Sequence, residues 1–463
     1  MQSDCAIILA AGEGQRMGAD VPKVLCEVLF KPMIGWVIGA CKDSQIEDRC
    51  VVVGFKSDQV VDFLGDDAKT VFQDQRRGTA HAVLCAKSFL KQHINANVFV
   101  CCGDSPFLDE KTITSALDIH KRNRASVTVI TANLENPKGY GRIVRMGGNI
   151  SKIVEEKDSN EQERKIHEVN SGAYWFCVKD LLDVLEYIKP INNQNEYYLT
   201  DAIALILARG KTATAYLSEN PLVAMGANDR LNLFKLNEIY KKILIERFMD
   251  DGVEFLSMDG IIISPDVKIG KGTKILPGTI LKGKTSVGKN CVIGPNSLIE
   301  DSQIGDQTVV NSSQIYQSVV ENNVKIGPFC HIRPNSRIDH HAKLGDFVEV
   351  KNSKIGAGTS ISHLTYVGDS DVGKNVNFGC GVVTINYDGV NKNRCEIKDG
   401  AFIGCNTNLV APVTIGKNAY TGAGSTITKN VSDYALGIER GKQVNVAEFS
   451  KSKLAGRKLK VKD

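Results

Sequence analysis

Hydrophobic residues follow two different patterns in the two halves of the chain. In the first half, apolar stretches at Cys5–Ala10, 49–54 and Asn97–Cys102 alternate with segments of helical periodicity such as 79–90. Short apolar runs favour buried strands, and strands that alternate with helices favour a parallel sheet covered on both faces. The first half is therefore predicted to be an α/β domain of Rossmann-like type.

Between residues 228 and 250 the apolar positions recur at steps of three and four, with Lys and Glu between them. They are Leu233, Leu236, Ile239, Tyr240, Ile243, Leu244 and Phe248. This period predicts one long amphipathic helix. We interpret it as a linker helix, 229–250, between a first domain at 1–228 and a second at 251–463.

The second half repeats one large aliphatic residue every six positions. The longest run is Ile263, Ile269, Ile275, Leu281, Val287, Ile293 and Ile299, and the same step returns from residues 326, 355 and 397. Six is neither the helical period nor the alternation of a plain strand. It is the hexapeptide signature of a β-helix, in which each aliphatic side chain points inward and stacked coils bury a continuous core.

Three hexapeptides make one triangular coil, so residues 18 apart share a face. Ile332 and Val350 should then form one inward column, with Arg333 stacked on Lys351 about 4.8 Å away. Two stacked cations repel each other unless an anion neutralises them. A bound phosphate would serve, and so would Glu349 on a solvated face. The spacing alone does not choose between these two partners.

One histidine of the repeat is placed where it could act on a substrate. His363 lies two residues after inward Ile361, and Cys380, 17 positions on, should stack over it. An imidazole with its unperturbed pKa near ~6.5 suits a general base, whereas a solvated polar histidine fits the pattern as well. The six-residue step is interrupted after Thr384, so residues 385–392 should form a protruding loop. Such loops on rigid scaffolds often carry function.

Composition and charge narrow the classes of function. A chain of 463 residues allows two or three domains, and 57 basic against 53 acidic residues argue against sequence-independent nucleic-acid binding. No apolar run approaches the ~20 residues of a membrane span, and no basic segment precedes the first apolar stretch, so neither a membrane protein nor a signal peptide is expected. The 13 cysteines form no C-x-x-C pair, which favours reduced thiols and a cytoplasmic location.

Two loops of the first half could carry phosphate chemistry. The Gly-rich turn after the first strand, with Arg16 and Lys23 nearby, could bring backbone N–H groups to a phosphate. Its spacing matches neither the G-x-G-x-x-G nor the Walker A loop. Gly103 and Asp104 close the strand Asn97–Cys102, where an aspartate could hold Mg²⁺. An ordinary tight turn also explains the first segment, and a loop aspartate in a turn is the favoured interpretation of Asp104 on its own.

Individually modest motifs occur in a fixed order along both halves. They lie at 9–12, 22–23, Gln73, 78–79, 103–104, 139–143, Glu155, Lys157, 170–172, 196–201, Asn228, 332–334, 349–351, 363–366, Asn377, 386–389 and Arg440. Over nearly the whole chain this order resembles the bacterial bifunctional N-acetylglucosamine-1-phosphate uridyltransferase/glucosamine-1-phosphate acetyltransferase family. The resemblance implies a Rossmann-like nucleotidyltransferase domain followed by a left-handed parallel β-helix.

For the first domain the resemblance implies Mg²⁺-dependent uridylyl transfer from UTP to N-acetylglucosamine 1-phosphate, with release of pyrophosphate. The residues implied to bind UTP or the UDP-sugar are Leu9, Ala10, Ala11, Gly12, Arg16, Lys23, Gln73, Gly78, Thr79, Cys102, Gly103, Asp104, Gly141, Glu155, Asn170 and Asn228. Asp104 and Asn228 would also hold the metal ion. Positioning and charge neutralisation should dominate such a reaction.

For the second domain the resemblance implies acetyl transfer from acetyl-CoA to the amine of glucosamine 1-phosphate, with His363 as general base and Glu349 orienting it. The implied sugar-phosphate residues are Arg333, Lys351, Tyr366, Asn377, Asn386 and Tyr387, and the acetyl-CoA positions are Cys380, Cys405, Ala423 and Arg440. The two reactions would yield UDP-N-acetylglucosamine, a precursor of peptidoglycan and lipopolysaccharide. The family also implies a homotrimer with this site at subunit junctions.

Some positions depart from the family pattern, and other functions compete. The family usually has Thr or Ser where Gln15 stands, Tyr for Cys102, Ala for Cys380 and Ser for Cys405. The alternatives are a monofunctional sugar-1-phosphate nucleotidyltransferase with a structural β-helix, a nicotinamide-dependent oxidoreductase and a non-catalytic scaffold. The predicted His363 site argues against the first, and the glycine spacing argues against the second.

Overall fold

The computed structural model of the chain describes residues 3–14, 17–18 and 20–454. The chain divides into two compact units, Met1–Leu244 and Ile245–Asp463. The division falls inside the helix Arg230–Asp250, so the predicted linker helix is one continuous element that contributes to both units. The helix begins at Arg230 because the Asp229 carboxylate accepts a hydrogen bond from the Asn232 backbone N–H at 2.8 Å, as a helix N-cap does.

The first unit alternates strands with helices, as the apolar stretches predict. Its strands are β1 Cys5–Ala10, β2 Glu27–Val28, β3 Lys31–Pro32, β4 Asp48–Val53, β5 Lys69–Phe72, β6 Asn97–Cys102, β7 Val127–Asn133, β8 Arg142–Met146, β9 Asn149–Val154, β10 Glu168–Cys177 and β11 Ala213–Leu217. Its helices are α1 Met33–Asp43, α2 Ser57–Leu64, α3 Thr79–Cys85, α4 Lys87–Gln92, α5 Glu110–Arg122, α6 Val178–Leu185, α7 Asp201–Ala208 and α8 Arg230–Asp250, the last shared with the second unit.

The main sheet of the first unit has the strand order β11-β7-β10-β6-β1-β4-β5, with one hydrophobic cluster on each face. The sheet is mixed, because β10 runs antiparallel to both β6 and β7. The helix predicted over 79–90 is two helices, since the Ala86 N–H bonds to the Val83 carbonyl in a tightened turn between them. β1 and β6 are parallel neighbours, so their carboxyl ends meet at one edge of the sheet.

The second unit is a parallel β-helix with three faces of short strands. The first face holds Glu254–Phe255, Lys274–Ile275, Val292–Ile293, Val309–Val310, Lys325–Ile326, Lys343–Asp346, Ser360–His363, Asn377–Phe378, Phe402–Ile403, Tyr420–Thr421 and Leu436–Gly437. The second holds Ile262–Ile263, Ile280–Lys282, Leu298–Glu300, Gln314–Tyr316, His331–Ile332, Glu349–Lys351, Tyr366–Gly368, Val383–Ile385, Asn408–Val410 and Thr426–Ile427. The third holds Lys268–Ile269, Ser286–Val287, Gln303–Ile304, Val319–Val320, Arg337–Ile338, Lys354–Ile355, Ser370–Val372, Cys395–Ile397 and Val413–Ile415.

The predicted register of the repeat is confirmed. Ile332 pairs with Val350 on the second face, both side chains are fully buried, and Glu349 pairs with Tyr366 on the next coil. The predicted fold class, a Rossmann-like α/β domain followed by a left-handed parallel β-helix, is confirmed as well. A last helix, α9 Phe449–Leu454, follows the coils. Within the described residues, none of the helices has the length and apolar character needed to cross a membrane.

Candidate active sites

The first candidate site lies at the carboxyl edge of the α/β sheet, where the Gly-rich turn meets the end of β6. The Gly103 N–H donates to the Leu9 carbonyl at 2.9 Å, so the segments 9–12 and 103–104 are adjacent. The backbone of this turn is therefore fixed against the neighbouring strand. Arg16, predicted to add positive charge here, lies outside the described residues.

A second wall of this site is formed around the start of α3. The buried Gln73 side chain donates to the Gly78 carbonyl at 3.3 Å. Gly78 has a φ of 111°, and a Cβ there would lie 2.5 Å from the Tyr197 carbonyl oxygen. The Thr79 hydroxyl accepts a hydrogen bond from the Leu199 N–H at 2.9 Å. Only glycine fits position 78, because both its conformation and this close approach exclude a side chain.

The two predicted metal ligands converge on one cation. The Lys23 ammonium donates to the Asn228 side-chain oxygen at 2.7 Å and forms an ion pair with the Asp104 carboxylate. This ammonium shows that both oxygens can face a single positive charge. No group of three acidic, histidine or cysteine side chains suited to a metal is found among the described residues. An Mg²⁺ ion here would thus take its remaining oxygen ligands from water and substrate phosphates.

The predicted sugar residues are brought together beside this edge. A Cβ on Gly141 would lie 3.3 Å from the Glu155 carboxylate, and the Gly141 carbonyl accepts a hydrogen bond from the Asn170 N–H at 2.9 Å. Burial raises the pKa of Glu155, and the charges of nearby Asp158 and Asp201 add to this effect. Gly141, Glu155 and Asn170 therefore form one polar corner.

Cys102 lies at the same edge. Its sulfur would be 3.5 Å from a Cβ placed on Gly172, and burial raises the pKa of its thiol to about 12. Cys102 is consequently a neutral thiol at physiological pH.

Arg142 is a residue that the sequence analysis did not single out. It is 2% exposed, and its guanidinium forms an ion pair with Glu156 at 2.8 Å and donates to the Tyr140 carbonyl. Glu156 also accepts from the Gly139 N–H at 3.1 Å. The pair thereby fixes both ends of the loop that carries Gly141. Its only sequence signal is membership of the 139–143 motif.

The second candidate site lies on the β-helix, where the predicted stack of cations is present. Arg333 forms an ion pair at 2.9 Å with Glu349, which lies on the next coil. Lys351 is two residues after Glu349 on the same strand. A side-chain contact with Lys392, together with slight burial, lowers the pKa of Lys351. Lys392 was not predicted, because it lies in the loop that interrupts the repeat and its register cannot be counted. The cluster therefore holds three cations, Arg333, Lys351 and Lys392, beside two carboxylates, Glu349 and Asp369.

Tyr366 and Asn386 extend the cationic cluster. Asn386 donates to the Asp369 carboxylate, and Asn352 donates to it as well. Burial alone would raise the pKa of Asp369, but these two hydrogen bonds and the charge of Lys351 lower it. Burial raises the pKa of Tyr366. Asp369 therefore stays ionised and fixes the amide that starts the loop.

The loop predicted at 385–392 protrudes as a short hairpin. Tyr387 pairs with Lys392 across it, and the Tyr387 hydroxyl donates to the Gly389 carbonyl at 2.6 Å. The Asp388 carboxylate accepts from the Val390 N–H at 2.8 Å. These internal bonds hold Lys392 where it contacts the rest of the cluster.

His363 ends a strand of the first face, at the corner before the second face. Its Nδ1 atom lies 3.8 Å from the Asp346 carboxylate, which pairs with it on the adjacent coil. Glu349, predicted to orient His363, is instead engaged by Arg333. Within one chain the ladder register brings Asp346, and not Glu349, to His363, so the orienting role of Glu349 stays a prediction. The histidine side chain is 60% exposed, so a substrate can reach it.

The four predicted acetyl-CoA positions are contiguous on successive coils after His363. The Asn406 N–H donates to the Cys380 carbonyl at 2.7 Å, and the Gly424 N–H donates to the Cys405 carbonyl at 2.8 Å. The Arg440 guanidinium donates to the Ala423 carbonyl at 3.0 Å. These contacts place Cys380, Cys405, Ala423 and Arg440 in one row.

Asn377 is not brought to the cationic cluster. It lies on the first face, paired with Ser360, whereas Arg333, Lys351 and Tyr366 belong to the second face. One subunit therefore presents these predicted sugar residues on two different faces of the triangular coil.

Family comparisons cover both units. The sequence model of the nucleotidyl transferase family matches residues 5–221. The model of bacterial transferase hexapeptide repeats matches 266–301, 317–352 and 394–429. Each match contains residues of the candidate site in its own unit.

Curated relatives align with nearly the whole chain. Proteins named bifunctional protein GlmU are 46% identical in Geobacillus sp. (strain WCH70), over 96% of this chain and 97% of that protein, and 45% identical in Acetivibrio thermocellus, over 96% of each. The one from Geobacillus thermodenitrificans is 44% identical over 98% of each chain. A solved chain described as a putative glucose-1-phosphate thymidylyltransferase from Bacillus anthracis aligns over 51% of this chain and 94% of its own, at 23% identity and a TM-score of 0.43.

Proposed function

The chain belongs to the bifunctional GlmU family, and from this membership we propose that its two candidate sites catalyse the two transfers that convert glucosamine 1-phosphate into UDP-N-acetylglucosamine. The observation that carries the proposal is the coincidence of full-length identity with a separate constellation of suitable side chains in each unit. A structural β-helix would need neither the cluster of three cations nor an exposed histidine beside it.

In the second unit, the amine of glucosamine 1-phosphate attacks the thioester carbonyl of acetyl-CoA. His363 takes the proton from the attacking amine, and the thiol of coenzyme A leaves. The Asp346 carboxylate lies on the Nδ1 side of the ring, 3.8 Å away, so Nε2 is the nitrogen assigned to the substrate. Arg333, Lys351 and Lys392 bind the sugar phosphate, and this anion relieves their mutual repulsion.

The site is completed between copies of the chain. His363 and Asn377 lie on the first face and Arg333 lies on the second, so we infer that a neighbouring copy brings its first face to the cluster. We therefore place the acetyl-transfer site at subunit junctions of a homotrimer. The protein acts in the cytoplasm on small-molecule substrates.

In the first unit, a phosphate oxygen of N-acetylglucosamine 1-phosphate attacks the α-phosphorus of UTP, and pyrophosphate leaves. The 9–12 backbone, Gln73 and Gly78 hold the uridine, while Gly141, Glu155 and Asn170 hold the sugar. Lys23 neutralises the triphosphate.

Asp104 and Asn228 would hold Mg²⁺, which fits because their oxygens already face one cation at Lys23. When bound, the ion supplies charge neutralisation at the phosphates. Lys23, which lies beside both oxygens, binds the substrate anion.

Two assays on the full chain test this function. Acetyl-CoA should release a free thiol only when glucosamine 1-phosphate is present, and UTP with N-acetylglucosamine 1-phosphate should release pyrophosphate only with Mg²⁺. A chain that releases pyrophosphate but no thiol would be the monofunctional alternative. Omission of each sugar substrate is the control for each assay.

A further inference from the structure

Two cysteines occupy the same position on adjacent coils of the β-helix. Phe378 pairs with Ile403 on the first face, and each is followed two residues later by a cysteine, Cys380 and Cys405. The hydrogen bond from the Asn406 N–H to the Cys380 carbonyl continues this register past the strands. All 13 cysteines are free thiols, and these two are the exposed ones.

The spacing of these cysteines suits a disulfide. Adjacent strands lie about 4.8 Å apart, and disulfides join Cα atoms that are about 4.4–6.8 Å apart. The Cys405 sulfur is 2.9 Å from the point that a Cβ on Gly379 would occupy. This sulfur is therefore directed at the coil that carries Cys380, and glycine at 379 leaves the space between the coils open.

Residues of the proposed acetyl-transfer site lie on the coils before and after the two cysteines. His363 lies on the coil before Cys380, and Ala423, held by Arg440, lies on the coil after Cys405. The described side chains offer no third acidic, histidine or cysteine ligand in a metal-binding group here, so the pair is suited to covalent sulfur chemistry and not to a metal ion.

We propose that Cys380 and Cys405 are a reactive dithiol that small-molecule disulfides convert into an intrachain disulfide, which stops acetyl transfer. The first thiol attacks the small disulfide, forms a mixed disulfide and releases one thiol; the second attacks the mixed disulfide at the protein sulfur and releases the other. Each protein proton leaves on a released thiol. The effect on acetyl transfer rests on the proposed function, whereas the bond itself does not.

Peptide mass spectrometry tests the bond directly. The full chain is incubated with 2-hydroxyethyl disulfide, its remaining thiols are blocked, and it is digested with trypsin without reduction. Cleavage after lysine and arginine gives peptides 375–392 and 399–417, each with one cysteine. The expected result is these two peptides linked, with the intact chain lighter by two hydrogens. Unlinked peptides, hydroxyethyl adducts alone or covalently joined chains would overturn the proposal.

Activity measurements test the consequence. The oxidised chain should lose acetyl transfer, keep uridylyl transfer and recover on reduction with dithiothreitol. The double variant Cys380→Ala/Cys405→Ser, compared with its own reduced rate, should form no link and keep acetyl transfer in the presence of the disulfide, while the control Cys177→Ala should still link and lose acetyl transfer. Loss of acetyl transfer in the double variant on oxidation would contradict the assignment. If the reduced chain showed no acetyl transfer, the proposed function would fail. The presence or absence of the linked peptides would still show whether Cys380 and Cys405 form a disulfide.

Discussion

At the scale of single residues, the excess positive charge of the cluster formed by Arg333, Lys351 and Lys392 indicates which partner these cations bind. Glu349 is paired with Arg333, and the pKa of Lys351 is still lowered, chiefly by its contact with Lys392. The two carboxylates, Glu349 and Asp369, therefore leave the three cations of the cluster with an excess of positive charge. This charge balance favours a phosphate as the natural partner of the cations over Glu349 alone.

Substituting Lys351 by methionine tests that partner. Lys351→Met removes one charged hydrogen bond to the phosphate, so the KM for glucosamine 1-phosphate should rise about 10- to 100-fold, as expected from about 1.5–3 kcal/mol. Steady-state thiol release measures the change. Lys325→Met, at an exposed lysine of the first face, is the control and should keep its KM. Equal KM values in the two variants would contradict a phosphate at Lys351.

A buried histidine predicts how the stability of the first unit depends on pH. His120 lies between the Thr128 hydroxyl at 2.9 Å and the Asn97 side-chain oxygen at 3.2 Å. Burial lowers its pKa to about 4. Between this value and about 6.5, the histidine is therefore protonated in the unfolded chain and neutral in the folded chain. Stability therefore falls as the pH drops from about 6.5 towards 4, by up to about 3 kcal/mol.

Denaturant unfolding of the chain and of His120→Gln measures this term. The free energy of unfolding of the variant should depend less steeply on pH between 4 and 6.5 than that of the unmodified chain, by about one proton. Identical slopes would show that His120 does not titrate as described. Above pH 7 the two slopes should coincide, which provides the internal control.

At the scale of elements, the repeat was predictable because every coil fixes the register of the next. The column of Ile332 and Val350 followed from counting residues, and so did the stack of Arg333 on Lys351. Counting stops where the repeat is interrupted, so Lys392 had no predictable position. In the α/β unit, Arg142 gave no pattern of its own, because its burial depends on an ion pair with Glu156 that only the folded loop creates.

The start of α3 offers a test of element geometry. Gly78→Ala places a Cβ 2.5 Å from the Tyr197 carbonyl in a left-handed conformation, so it should destabilise the chain by about 1–3 kcal/mol and reduce uridylyl transfer. Thermal unfolding and pyrophosphate release measure both effects. Gly210→Ala, also at a positive φ but with no atom within 4 Å of the new Cβ, should cost less. Equal losses would show that the contact with Tyr197 is unimportant.

At the scale of the whole molecule, each of the two architectures carries a candidate site of its own. The predicted residues of the first site run from Leu9 to Asn228, and those of the second run from Arg333 to Arg440. The relatives align with both at once. The family, both activities and the fold class were predictable from ordered motifs, whereas the placement of Asn377 on a separate face required the structure.

Formation of UDP-N-acetylglucosamine by mixed variants tests the two-site account most directly. His363→Ala should lose acetyl transfer by about 10²- to 10⁴-fold and keep uridylyl transfer, and Asp104→Ala should do the reverse. Given glucosamine 1-phosphate, acetyl-CoA, UTP and Mg²⁺, neither variant alone should make the UDP-sugar, and a mixture of the two should make it. A mixture that yields no UDP-N-acetylglucosamine, although both variants are folded, would contradict two independent sites.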